Sequence, residues 1–406
     1  MRIHPLLCAA VFVLTACDRG SAANDAITMS DSSGVAIVMN DLERLDASCS
    51  LGATPAMSIG VEDGGEEYML DEVAGATRLS DGRVVLANRS TWQLRYYDPS
   101  GAYIRSTGRQ GEGPGEFRQP FYLHRLPGDT VYAGDYRPFR FLVFGPDGQW
   151  VRTVDPAPQM LNTPRSMNVM DDGRMVLGMQ DVSARFAGDG EAFPLEKITL
   201  QLHDASGALL DTLATLPNGR YGEVVPGSRF FVFPFFESFA MVAAKGDRLV
   251  MGHGSETELR VHGNGEGFPL ERIVRWTGKS RAITSADVAA AKAWEESQLA
   301  NSSHQTREMM LPTLISDKRI VADQFPAMSS LRVGRDGRLW IREYQPPSDT
   351  TVRRWVAFAR DGRFDCRLQA PRFADYLEFG SDYLLALDTD SLGVERVKQF
   401  TLSRVP

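Results

Sequence analysis

Residues 76–108 read ATRLSDGRVVLANRSTWQLRYYDPSGAYIRSTG, and the order of turns within them decides the architecture. An apolar run ends at Leu79, Asp81-Gly82-Arg83 reverses the chain, and Val84-Val85-Leu86-Ala87 runs back. After a looser loop, Leu94-Arg95-Tyr96-Tyr97 leads into a second turn, Asp98-Pro99-Ser100-Gly101. Glycine reaches positive φ without steric cost and aspartate bonds to nearby backbone N–H groups, so both segments read as hairpin turns. β-branched and aromatic residues dominate the intervening runs, which therefore read as strands. One unit is strand, tight turn, strand, looser loop, strand, tight turn, strand.

The first turn returns at Gly128-Asp129, Asp172-Gly173-Arg174, Gly246-Asp247, Asp336-Gly337-Arg338 and Gly380-Ser381-Asp382. Each is followed by a short strand-like run, such as Thr130-Val131-Tyr132-Ala133 or Leu339-Trp340-Ile341. The second turn returns at Gly145-Pro146-Asp147-Gly148, Asp204-Ala205-Ser206-Gly207 and Arg360-Asp361-Gly362. The first turns lie 46, 45, 73, 91 and 43 residues apart, and three of these intervals match a propeller blade of about 40–50 residues. The expected fold is all-β: a six-bladed β-propeller of four-stranded antiparallel blades, occupying residues 34–406 as one domain. Insertions account for the two long intervals. One is the polar stretch near residues 183–191. The other, about 284–300, holds the one expected helix (SADVAAAKAWEESQL), with Thr284 or Ser285 as cap and Asp287 in the first turn. The apolar run Gly34-Val35-Ala36-Ile37-Val38-Met39 has no turn of its own, so it is expected to pair into the last blade and close the ring.

Gly108-Arg109-Gln110-Gly111-Glu112-Gly113-Pro114-Gly115-Glu116-Phe117-Arg118-Gln119-Pro120 resembles the inter-blade loop of NHL-type repeats, with a glycine-rich run, then Phe, then Pro. The chain as a whole resembles the six-bladed β-propeller lipoproteins of bacteria, related in architecture to NHL and TolB-like propellers. The motif-level likeness covers about residues 70–155, and a shared fold does not specify function. A phosphate-cradle reading of the loop fails, because no Gly-Lys-Ser/Thr follows and Pro114 removes a backbone donor. Phe117 is expected to plug the space between adjacent sheets.

The N-terminus reads as a secretion signal, residues 1–16. Arg2 precedes an apolar stretch, residues 6–16, far short of the roughly 20 residues needed to span a bilayer. It ends in Leu14-Thr15-Ala16-Cys17, which looks like a bacterial lipobox with Cys17 as the acylated residue. That implies a lipid-anchored protein of the cell envelope, facing periplasm or exterior, with Asp18 leaving the choice of membrane open. Residues 17–33 are small and polar, as a flexible tether would be. Of four cysteines, Cys8 belongs to the signal and Cys17 to the lipid site. Cys49 and Cys366 remain as a candidate disulfide in an oxidising compartment, the alternative being two buried thiols. Net charge −8, with no Lys/Arg-rich block, excludes the electrostatic footprint of a nucleic-acid binder. With 43% hydrophobic and 24% charged residues, neither disorder nor a polytopic membrane protein fits.

No catalytic set, metal-ligand spacing or cofactor motif stands out. The histidines are isolated, His124 and His253 being the two expected near the channel or a loop mouth, and no Gly-x-Ser-x-Gly elbow occurs. Both tight turns of each unit fall on one face of the disk, so the longer loops gather on the other, where function tends to sit. The binding residues expected there are Arg109, Asp135, Tyr136, Arg137, His253, Arg342 and Tyr344, since Arg and aromatic side chains suit anionic, planar and protein ligands. The cluster Asp135-Tyr136-Arg137-Pro138-Phe139 leads that set. The aromatic run Phe230-Phe231-Val232-Phe233-Pro234-Phe235-Phe236 is expected to pack between blades. These features suggest a monomeric, non-catalytic module binding a protein, peptide or carbohydrate. The rival is a metal-dependent lyase or hydrolase at the channel mouth.

Overall fold

The Asp-Gly-Arg triplets fold as their chemistry requires. In the computed structural model, which describes residues 26–136, 139–156, 163–181, 193–224, 230–278, 282–300 and 302–405, Gly82, Gly173 and Gly337 take φ of 92°, 84° and 82°. In each triplet the aspartate Oδ1 accepts the arginine backbone N–H at 3.0 Å. Its other oxygen meets the same arginine's Nε, at 2.6 Å for Asp81–Arg83 and 2.8 Å for Asp172–Arg174. The second turns use one carboxylate for two backbone donors. Asp98 accepts from Ser100 N and Ala102 N, and Asp204 from Ser206 N and Ala208 N, all at 2.8–2.9 Å.

Among the described residues these turns delimit six radial blades, each antiparallel and ordered from the axis outwards. Blade 1 comprises Val73–Arg78, Val84–Asn88, Gln93–Tyr97 and Tyr103–Thr107. Blade 2 comprises Pro120–Arg125, Val131–Tyr136, Phe139–Phe144 and Trp150–Val154, and blade 3 Thr163–Val169, Met175–Asp181, Leu195–His203 and Leu209–Arg220. Blade 4 holds Ala240–Lys245, Arg248–His253, Glu258–Gly263 and Leu270–Trp276. Blade 5 holds Met328–Val333, Leu339–Glu343, Arg353–Phe358 and Phe364–Ala370. Blade 6 takes Asp375–Phe379, Tyr383–Thr389 and Glu395–Arg404 from the C-terminus and Met57–Ile59 from the N-terminal part of the chain.

Buried apolar clusters fill every gap between neighbouring blades, and one of them, with Ile59, Leu385, Val84 and Leu86, joins blade 6 to blade 1 and closes the ring. Between blades 5 and 6, Trp340 stacks on Phe379 at 4.5 Å. Burying one such side chain contributes roughly 1.5–3 kcal/mol. Phe117 is fully buried between blades 1 and 2 against Phe144, as its plug role requires.

The N-terminal segment follows a path that the strand pattern alone did not reveal. Ile27–Ser32 is already a strand, so the fold begins inside the expected 17–33 tether. Val35–Asn40 adds in parallel to Leu270–Trp276 of blade 4, not to the last blade. Ser48–Leu51 then pairs in parallel with Phe364–Ala370 of blade 5, and Met57–Ile59 completes blade 6. The segment is thus a strap along the outer edges of three consecutive blades. It caps edges that would otherwise expose unpaired N–H and C=O groups. A disulfide joins Cys49 of the strap to Cys366 of blade 5, with Cα atoms 5.5 Å apart. Buried Asn40 fastens the strap further, donating to the Arg275 and Gly362 carbonyls (both 3.0 Å) and accepting from Phe364 N (2.7 Å).

Two helices, rather than one, stand between blades 4 and 5. Helix α1 (Ser285–Gln298) is capped by Thr284, whose hydroxyl accepts from Asp287 N while the Asp287 carboxylate accepts from Thr284 N, a reciprocal box. Helix α2 (His304–Leu314) follows, capped by Ser303, and carries Pro312 near its end. Proline within a helix removes a donor, and this masks α2 in the sequence. The aromatic run packs against this insertion instead of between blades: Phe235 and Phe236 are buried with Ala291 and Val288 of α1. Arg319 staples the assembly, donating to the Phe233 carbonyl (2.7 Å), to Glu295 of α1 (2.9 Å) and to the Leu314 carbonyl of α2 (2.8 Å). The polar stretch at residues 183–191 lies outside the described residues.

Candidate functional site

The loop face carries a cavity of about 980 Å³ between blades 4 and 5. Its wall is assembled from distant parts of the chain. Leu42 and Glu43 come from the strap, Ser255 and Thr257 from the strand 2–3 loop of blade 4, and Trp276 and Thr277 from the end of blade 4's outer strand. Phe325 leaves the helical insertion, Glu343 and Tyr344 begin the strand 2–3 loop of blade 5, and Arg354 and Arg367 project from its outer strands.

Guanidinium and carboxylate groups of the lining pair with one another. Arg367 Nη1 lies 3.3 Å from Glu343 Oε1, and its Nη2 donates to the Leu42 carbonyl (2.5 Å). Arg354 Nη2 donates to Asp349 Oδ2 (2.6 Å) while its Nε stands 3.9 Å from Glu343 Oε2. Hydrogen bonds from Gln345 and Thr351 hold the Asp349 carboxyl down at about 2, so this anchor of the blade 5 loop stays ionised. The lining also holds aromatic rings, backed by a further one: Tyr344 lies 5.6 Å from Phe325, and Phe325 4.8 Å from Phe236. Burial pushes the Tyr344 hydroxyl up to about 12, so it remains a neutral donor and acceptor. At the rim, Ser255 Oγ is 2.7 Å from His253 Nδ1, and Ser255 N donates to the same nitrogen at 3.3 Å. That nitrogen is therefore the acceptor, and burial holds His253 below its usual range as a neutral imidazole.

The residues expected at the loop face do not converge. Tyr344 lines the cavity and His253 touches it through Ser255. Arg342 sits half-buried behind, its Nε donating to Ser329 Oγ (3.0 Å) and its guanidinium 5.9 Å from the Trp355 ring. Arg109, Asp135 and Tyr136 belong to the far side, at blades 1 and 2. Arg109 is tied to Glu116 within its own loop (Nε–Oε1 2.7 Å). Asp135 is corrected outright as a surface binding residue, since it is fully buried. Its carboxylate accepts from Arg118 N (3.1 Å), Gln119 N (2.6 Å) and Arg140 Nη2 (3.1 Å), and Arg140 in turn donates to the Glu112 and Glu116 carbonyls (both 2.9 Å). Asp135 thus pins the glycine-rich loop in place. Tyr136 packs edge-on against Phe121 at 5.4 Å. Phe139 is buried, while Arg137 and Pro138, like Cys17, lie outside the described residues. The sequence reading missed Arg354, Arg367, Glu343 and Phe325, because their association depends on the insertion and the strap folding back to blades 4 and 5.

A second polar assembly crosses the channel axis near the tight-turn face. Glu378 of blade 6 accepts from Arg335 Nε (2.7 Å), Thr77 Oγ1 (2.8 Å), Tyr383 Oη (2.6 Å) and Arg78 N (3.1 Å). Lys245 of blade 4 reaches it from across the ring, at 3.8 Å. Burial would raise the Glu378 carboxyl, but Arg335, Lys245 and the two hydroxyls outweigh it and hold the group at about 2. Burial, reinforced by Arg335, draws Lys245 down to about 8. His124 of blade 2, buried beside these cations, is pushed well below its usual range by burial, Lys245 and Arg335, and its Nε2 has no partner among the described residues. The His/Cys/Asp/Glu group close enough to share a metal among the described residues is Cys49, Asp365 and Cys366, whose two sulfurs are already joined to each other.

No protein-family model and no curated protein matches the chain. Among solved structures it is similar to an exported protein from Bacteroides fragilis, at 11% identity over 88% of this chain and 96% of that one, TM-score 0.48. It is also similar to regucalcin from Agrobacterium tumefaciens (12%, 86% and 97%, TM-score 0.37). A third likeness is the PQQ-bound aldose sugar dehydrogenase from Streptomyces coelicolor (12%, 88% and 99%, TM-score 0.41). Similarity this distant bears on neither ligand nor reaction.

Proposed function

We propose that this chain is an envelope propeller, held by an acylated Cys17 and acting as a monomeric binding module whose loop-face cavity takes a saccharide. The observation that supports this reading is the mixed lining. Phe325 and Tyr344 line the cavity with aromatic rings, while Arg354, Glu343 and Arg367 line it with charged donors and acceptors. A sugar ring has the same division, an apolar C–H face and an equatorial belt of hydroxyls, and pockets of this size orient ligands by a few polar groups. Glycan-array binding of the whole mature chain tests it. Tyr344→Ala and Arg354→Ala should each weaken capture roughly tenfold or more, the loss of a charge-assisted hydrogen bond or of one aromatic face. Circular dichroism should show each variant folded at the assay temperature. Binding to peptide arrays instead, abolished by the same substitutions, would reassign the ligand class. Capture that neither substitution alters would reject the cavity.

The Ser255–His253 contact favours a second reading, hydrolysis at the same rim, since nucleophile and base lie within hydrogen-bond reach. Ester turnover of p-nitrophenyl acetate abolished by Ser255→Ala would support it. Turnover unchanged by that substitution would reject it.

A further inference from the structure

The tight-turn mouth of the channel, opposite the loop face, holds a cavity of about 250 Å³ lined by Arg78, Arg125, Arg335, Asp336, Asp382 and Tyr383. The cations come from blades 1, 2 and 5, at the ends of innermost strands or just beyond, so the ring itself converges them. We infer that this mouth binds one small anion, through a carboxylate or phosphate group, between Arg78, Arg125 and Arg335.

The nearby acids are already engaged. Glu378 accepts its four hydrogen bonds below the mouth. Asp129 accepts from Ser80 N (3.0 Å), Ser80 Oγ (2.6 Å) and Arg125 Nη1 (2.7 Å). Asp336 accepts from Arg338 N (3.0 Å) within its turn. Asp382, three-quarters exposed, stands 4.0 Å from Arg78, a separation at which water competes effectively. Two arginines, in contrast, keep N–H groups without an acceptor among the described residues. The Arg78 guanidinium lies over the Tyr383 ring at 4.7 Å and makes no hydrogen bond. The Arg125 Nε is buried without a partner. Behind them Lys245 is paired with Glu378 at 3.8 Å and adds its charge to the site.

A buried donor without an acceptor, such as Arg125 Nε, is costly, and guanidinium groups recognise carboxylate and phosphate oxygens in the plane of their N–H bonds. An anion in the mouth would supply acceptors to Arg78 and Arg125 together, while Arg335, whose Nε, Nη1 and Nη2 already donate to Glu378, the Arg125 carbonyl and Thr77 Oγ1, would contribute its charge. The volume restricts the ligand to a single small group, because drug-sized and nucleotide-sized ligands occupy roughly 300–1,000 Å³.

Isothermal titration of the whole mature chain with sodium phosphate, and separately with sodium succinate, at matched ionic strength tests the inference. One saturable site is expected for at least one of the two, and which of them binds identifies the group. Arg78→Gln should weaken it roughly tenfold or more, Arg78→Lys less, and Arg354→Ala in the loop-face cavity should leave it unchanged. Absence of a saturable site for both anions would overturn the inference, as would titrations unaffected by Arg78→Gln. An equal loss in Arg354→Ala would place the anion on the other face and overturn it too.

Discussion

At position 378 a carboxylate is enclosed by donors from three other blades, and its environment explains why a charge survives there. Desolvation alone would neutralise it, yet Arg335 and Lys245, with the Tyr383 and Thr77 hydroxyls, hold it ionised. Breaking such a group leaves buried cations uncompensated, so Glu378→Gln should cost about 3–5 kcal/mol in urea unfolding at pH 7. The pH dependence follows from the depressed folded value. The contribution is complete above the ordinary glutamate range and is lost as pH falls from about 4.3 in the unfolded chain towards about 2 in the folded protein. Urea midpoints measured across that window should fall steeply for the native chain and much less for Glu378→Gln. Asp135 teaches a related lesson. In the sequence it neighbours Tyr136 and Arg137 and looks like part of a recognition loop, but three backbone and side-chain donors draw it inside.

At the scale of elements, the strap and the insertion shape the site that the blades merely support. The strap's strand Ser48–Leu51 is linked to Phe364–Ala370 by both parallel pairing and the Cys49–Cys366 bridge. A loop of this length constrains the unfolded chain strongly, so Cys366→Ser should lower unfolding free energy by about 2–5 kcal/mol. Chemical denaturation should show that loss, and reductant should produce it in the native chain but not in the variant. The strap also delivers Leu42 and Glu43 to the loop-face cavity, which couples the edge of the fold to the proposed saccharide wall. Helix α1 was legible because Thr284 and Asp287 form its capping box and alanines fill its middle. Helix α2 was not, because Pro312 contradicts its local propensity and packing against α1 overrides it.

Across the whole molecule, six sheets bury one another in a ring and leave two unlike faces. One is built of aspartate-glycine turns, with three arginines and two aspartates at its channel mouth; the other bears the longer loops and the larger cavity. By itself the sequence determined the repeating blade, the number of blades and the face on which long loops lie. Turn chemistry and strand alternation act over a few residues, so a linear reading captures most of them, though it passed over the second turn of blade 6, where Asp390 accepts from Leu392 N and Val394 N. Tertiary structure alone decided which blade receives each N-terminal strand, that Asp135 is internal, and that Arg354 and Arg367 meet Tyr344 and Phe325. It alone brought Lys245 and Arg335 to Glu378 across the axis. Most of these associations join residues ten or more positions apart on different elements, and the Glu378 group joins residues from four blades, which no local pattern encodes.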